Sequence, residues 1–227
     1  MASQGYAATR PIAAEAIGTA FLLVAIVGSG VMAERLADGN DGVALLANTA
    51  ATAAALVALI LMFGPISGAH FNPLVTLALA FRGDIVKRAV PGYLAAQVAG
   101  ALAGVAAAHV MFDLPPFTPS VTERSGVALI FAEVLATGGL VGLVLSVSRS
   151  VPRAVPLGVA AWIAGAFWFT SSTSFTNPAV ALARSLTDTP TGIAPADLPG
   201  FVVGEVIGAL LAYFLFRWFA AAGENRR

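Results

Sequence analysis

Two Asn-Pro steps, Asn72-Pro73 and Asn177-Pro178, are the residues in this chain best placed to act on another molecule. Asparagine can cap a helix through its side-chain oxygen and still present N–H donors. Proline at the first helical position starts a helix without leaving a donor unmet. Such a pair can hold a passing polar molecule by hydrogen bonds, but it cannot break a bond in it. The other candidates are Glu15 and Glu133 inside apolar runs, His70 just before Asn72, and Arg184 shortly after Asn177. The absence of cysteine removes thiol chemistry, disulfides and thiolate zinc sites. With two histidines and no convincing acid–base pair, the sequence predicts no enzyme, no cofactor and no metal centre.

The elements that must position these residues are apolar. Of the 227 residues, 58% are hydrophobic and 11% charged, far below the roughly 25% charge of a soluble domain. The implied solvent is a bilayer. A net charge of zero points to no nucleic-acid partner. Six runs approach the ~20 residues that span a hydrocarbon core as helix: 12–33, 43–63, 89–112, 126–147, 154–170 and 200–220. The first holds Glu15 and is long enough to span, so it reads as a span rather than a cleavable leader.

Basic residues orient the chain. With the N-terminus inside, Arg10, Arg82, Lys87, Arg88, Arg149, Arg153, Arg217, Arg226 and Arg227 are cytoplasmic. Only Arg35, Arg124 and Arg184 are outside. Both termini are therefore expected in the cytoplasm, with the chain in the inner (plasma) membrane.

Two stretches fit no full span: "GPISGAHFNPLVTLALAF" (64–81) and "SSTSFTNPAVALARSL" (171–186). Each is an irregular Gly/Ser/Thr segment, then Asn-Pro, then a helix only long enough for half a bilayer. These read as re-entrant loops ending in half-helices, tolerable at membrane depth where buried in protein or lining water. Glu15 and Glu133 stand early in the first and fourth spans. Three spans and a half-helix, twice, make an inverted repeat. The expected fold is an all-α membrane protein of six transmembrane helices plus two re-entrant half-helices. It forms one channel domain over 1–227, with repeats at 10–113 and 124–221. The half-helices then meet N-terminus to N-terminus near the midplane, where paired positive ends disfavour cations and protons.

At "SGAHFNP", "TNPA", the repeated Glu and the six-span layout, essentially the whole chain resembles the major intrinsic proteins, the aquaporins and aquaglyceroporins. The resemblance implies a pore in each subunit and a homotetramer. It also implies structural roles for Glu15 and Glu133, with a proton-relay carboxylate as the alternative, and a loop histidine at His70. That histidine either lines the pore or packs the loop. Leu74 departs from the family, which usually has Ala third in the motif; the second motif reads Asn177-Pro178-Ala179. Family offsets place the selectivity filter at Thr52, Gly165, Ser174 and Val180. All four are small, and Val180 stands where the family usually has arginine. "NPAVALARSLTDTPTGI" is similar to bacterial aquaglyceroporins associated with arsenic resistance, which implies arsenous acid or methylated arsenicals among the solutes.

Arg184 lies one helical turn beyond Val180. Two readings stay open: a displaced cation at the pore mouth, or an i,i+4 pair with Asp188. Glu205 and His109 are expected near an interface, and Trp162, Trp168 and Trp218 in belts or packing, with Trp168 the nearest to the outer vestibule. The functional expectation is a passive channel for small uncharged solutes with a widened filter. The alternative is an ordinary water or glycerol facilitator narrowed by Phe167, Trp168 or Phe175. An inverted-repeat secondary transporter is the reading from another class.

Overall fold

The computed structural model describes residues 2–224, with side chains over 9–220. Arg226 and Arg227, counted in the charge bias, lie outside the described residues. Eight α-helices follow in order: α1 (Ala2–Leu36), α2 (Asp41–Ser67), α3 (Pro73–Arg82), α4 (Val90–Met111), α5 (Val127–Ser150), α6 (Val155–Phe169), α7 (Pro178–Arg184) and α8 (Leu198–Glu224). Among the described residues there is no strand. Helices α1, α2, α4, α5 and α8 are long and apolar enough to cross a bilayer. The sixth span, α6, has 15 residues and is preceded by a 3-10 turn at Pro152–Ala154.

The distribution of polarity is that of a protein dissolved in lipid. Phe21, Leu61, Phe81, Phe131, Leu211 and Trp218 are exposed, whereas Glu15, Gln97, Glu133 and Glu205 are fully buried. With no water to satisfy it, a polar group inside is costly unless it finds a partner in the chain or lines a cavity.

Helix α1 packs along α4, and α5 along α8. Both pairs approach to backbone contact at a glycine. A Cβ on Gly100 would lie 2.2 Å from the Ala16 carbonyl, and one on Gly208 2.3 Å from the Val134 carbonyl. Ala16 and Val134 each follow one of the buried acids, so the two crossings are built alike. Without a hydrophobic drive between helices in lipid, such small-residue contacts supply the packing.

The half-helices are short for a visible reason. Helix α3 is ten residues, about 15 Å, and ends at Gly83 with φ +89°. There the Gly83 N–H donates to Ala80 and the Asp84 N–H to Leu79, a glycine cap that stops the helix. Arg82 ties this end to α5 by donating to the Leu145 carbonyl and the Ser148 hydroxyl. Asp84 pairs with both Arg82 and Arg149. Burial pushes its carboxyl up, but the hydrogen bonds and charges of Arg149 and Arg82 outweigh this and hold it below the usual aspartate range. Helix α7 is seven residues, about 10 Å.

Candidate functional site

The two half-helices meet at their N-termini. Asn72 accepts from the Leu74 N–H at 2.9 Å, and Asn177 accepts from those of Ala179 at 3.0 Å and Val180 at 3.3 Å. Each amide also donates across the junction. Asn72 Nδ2 reaches the Thr176 carbonyl at 2.7 Å, and Asn177 Nδ2 the Phe71 carbonyl at 2.7 Å. The strap is reciprocal, because each acceptor is the residue before the opposite asparagine. An amide nitrogen has two hydrogens, so each asparagine keeps one N–H free for the cavity that both line.

The loops that deliver them hold a shape few sequences adopt freely. Ala69 and Phe71 in the first loop, and Ser174 and Thr176 in the second, have φ between +49° and +55°. For non-glycine residues this left-handed region is costly and must be over-determined by its surroundings. The buried acids provide that. Glu15 accepts from the N–H groups of His70 at 2.9 Å and Phe71 at 2.7 Å. Glu133 accepts from those of Phe175 at 2.9 Å and Thr176 at 2.7 Å. Ser67 and Gln97 also donate to Glu15.

Sequence reasoning missed a third acid. Glu205, expected near an interface, is fully buried and accepts from the Asn177 N–H at 2.9 Å. It stands at the same step into α8 as Gln97 does into α4, a correspondence visible once both helix starts are placed. His109 is likewise buried, between the Pro115 carbonyl and Thr187. It is held by polar partners that fold back over the end of α4.

A cavity of about 780 Å³ runs past the junction. Its wall is mostly aliphatic, including Leu22, Ile26, Leu56, Val159 and Ile163. Against it stand a few polar residues: Thr52, His70, Asn72, Ser148, Arg153, Ser174, Thr176, Asn177 and Arg184. His70 lines the cavity and also contacts Thr76 at 3.0 Å and the Tyr93 ring. Leu74, Pro73, Pro178 and Ala179 are off the lining; Leu74 is buried in the apolar core.

Three of the four filter positions, Thr52, Ser174 and Val180, border this cavity. The hydroxyls of Thr52 and Ser174 are buried with no protein partner. Gly165 does not border it. The lining face of α6 is Pro156, Val159, Ile163 and Phe167, a helical spacing that turns Gly165 away, toward Phe169. Phe167, two residues on, borders the cavity. Phe175 also lines the cavity, whereas Trp168 is half-exposed and off its wall. Trp162 donates to the Ala136 carbonyl at 2.8 Å and packs α6 on α5, and Trp218 is exposed.

Arg184 does not pair with Asp188. Asp188 accepts from the Val121 N–H. Arg184 is 3% exposed, lies 3.4 Å above the Phe175 ring and donates Nε–H to the Thr191 carbonyl. Among the described residues its other guanidinium N–H groups have no protein acceptor, and the side chain borders the cavity. Arg124 approaches the same ring at 5.2 Å and is held by the carbonyls of Gly192, Ser172 and Pro190. The arrangement can hydrogen-bond and sieve a solute. It contains no group aligned to transform one.

Comparison with known proteins agrees with this geometry. The family model described as major intrinsic protein matches residues 2–216. The aquaglyceroporin AqpS of Rhizobium meliloti is 52% identical, over 95% of this chain and 92% of its own. Aquaporin NIP1-3 of rice, Oryza sativa subsp. japonica, is 33% identical over 92% of this chain and 74% of its own. The X-ray structure of the aquaglyceroporin from Plasmodium falciparum superposes with a TM-score of 0.68 at 21% identity, covering 93% of this chain and 95% of that one; at that identity the likeness speaks to the fold. A multi-pass channel architecture, a matching family model and a full-length relative converge on one conclusion: this chain belongs to the major intrinsic protein family.

Proposed function

We propose that the protein is a passive channel for small uncharged solutes, water and glycerol-like polyols among them, with an outer constriction formed by Thr52, Phe167, Ser174, Val180 and Arg184. The observation that carries this reading is the cavity wall. An aliphatic surface faces a sparse line of donors, two of them the free amide hydrogens of Asn72 and Asn177. A polyol has hydroxyls along one edge and carbon along the other, and it matches that division. Any bare ion would lose its hydration against an apolar wall, and a cation would also meet a buried guanidinium. Val180 relaxes the size limit that an arginine would set there. Arsenous acid, a neutral trihydroxide near glycerol in size, and methylated arsenicals fit the same description.

The repeats at 10–113 and 124–221 act as two halves of one pore. Both termini are cytoplasmic in the plasma membrane, and four copies assemble as a homotetramer. Exposed apolar side chains on several helices leave surface for both lipid and neighbours. A second reading has a specific observation behind it: Phe167 and Phe175 border the cavity and narrow it as in an ordinary water or glycerol facilitator.

A permeability panel on purified protein in liposomes separates the two. The widened channel passes glycerol, urea and arsenous acid alongside water. Conduction of water with exclusion of urea and arsenous acid would favour the narrow facilitator.

A further inference from the structure

The loop after α7, "SLTDTPTGI" (185–193), places threonines at alternate positions 187, 189 and 191, all buried. Their hydroxyls form a chain that starts at His109. Nε2 of the imidazole lies 2.6 Å from Thr187 Oγ1, which is 3.1 Å from Thr189 Oγ1, which is 3.0 Å from Thr191 Oγ1. The other ring nitrogen, Nδ1, bonds the Pro115 carbonyl. A carbonyl can only accept, so Nδ1 carries the hydrogen, and in the neutral ring Nε2 is an acceptor. Thr187 must then donate to it. A hydroxyl has one hydrogen, so Thr187 accepts from Thr189, and Thr189 accepts from Thr191. One proline carbonyl thus sets the direction of every hydroxyl in the chain.

The far end of this chain is the pore. The Thr191 backbone carbonyl accepts from Nε of Arg184, a cation that borders the cavity beside the junction. Helix α1 makes room for the same residue, since a Cβ on Gly30 would lie 2.3 Å from the Thr191 methyl. Arg184 has no ion pair among the described residues. Its place is fixed by the Phe175 ring beneath it and by this one carbonyl.

We infer that His109, Thr187, Thr189 and Thr191 are positioning residues for solute discrimination, because their one-way hydroxyl chain holds the carbonyl that aims Arg184 into the outer mouth. The inference rests on the reading that Arg184 contacts the solute there.

The test measures the ratio of glycerol to water permeability in proteoliposomes. Arg184→Leu sets the scale: replacing the guanidinium by a shorter side chain widens the mouth and should raise the ratio about threefold or more, threefold being under about 1 kcal/mol of differential barrier. Thr189→Val keeps the shape but cuts the chain, and should move the ratio the same way. Thr189→Ser restores the hydroxyl and should restore the ratio. In the Arg184→Leu background Thr189→Val should add nothing, which a merely structural role would not produce. If Thr189→Val does not reconstitute, Thr187→Val carries the same expectation. A normal ratio in the cut-chain variant beside a shifted Arg184→Leu overturns the chain and leaves the mouth reading standing. An unchanged ratio in Arg184→Leu overturns that reading and the chain with it.

Discussion

Replacing Val180 by arginine should cut glycerol permeability by about tenfold or more, while water permeability falls less than about threefold, a selectivity change on the order of 1 kcal/mol in barrier height. Val180 is buried at 2% exposure, borders the cavity and sits in the first turn of α7, with its N–H on the Asn177 side chain. An arginine there adds a long side chain and five donors in a fixed fork, one turn from the guanidinium of Arg184. The mouth narrows, and a solute too large to pass beside the new group is excluded. Water, smaller and able to donate and accept at any orientation, is penalised less. Stopped-flow light scattering on liposomes with matched protein content reads both rates. Equal losses of water and glycerol would place the constriction elsewhere in the cavity.

The largest effect on the fold is expected from Glu133→Leu. Glu133 is the acceptor for two buried backbone donors, Phe175 and Thr176. Thr176 is a β-branched residue held at φ +54°, and Ser174 beside it is also left-handed. Leucine leaves two N–H groups unmet in a dry interior, at about 1–3 kcal/mol each, and removes the restraint on a strained loop. The sum, about 2–6 kcal/mol, is a large fraction of the stability of an ordinary domain. The purified variant should lose roughly 5–25 °C of thermal stability or fail to elute as a single species. Glu133→Gln should fall between, since its amide oxygen can serve one donor while its NH2 group faces the other. A leucine variant as stable as the parent would mean that the loop is held by other contacts.

The spans and the Asn-Pro pair were legible because the physics acting on them is local or global, with little between. A bilayer demands long apolar helices, and Asn-Pro ahead of an apolar helix-forming run is a local helix start. The acids at 15 and 133 were legible for the same reason: a carboxylate inside a span needs donors, and the irregular loops are where unpaired N–H groups lie.

The filter was harder. Counting from Asn177 assigns Gly165, but which α6 residues face the pore depends on helix rotation. Packing against α2 and α5 puts Ile163 and Phe167 there instead. Glu205 was misplaced because the connection from α7 to α8 is longer than that from α3 to α4. Its correspondence with Gln97 appears only once both helix starts are known. Arg184 shows the limit of spacing arguments most plainly. Asp188 is its i+4 neighbour in sequence, yet the chain leaves the helix at Ser185 and doubles back. The partner it finds is the backbone of Thr191, and no periodicity announces that.

The central claim is passive conduction of an uncharged solute. Its most direct test is the glycerol flux through the purified protein in liposomes with no ion gradient. A channel should give a flux that rises in proportion to the glycerol gradient well beyond the low millimolar range and is indifferent to an imposed proton or sodium gradient. Saturation at low millimolar glycerol, or flux that appears only when an ion gradient is supplied, would contradict it.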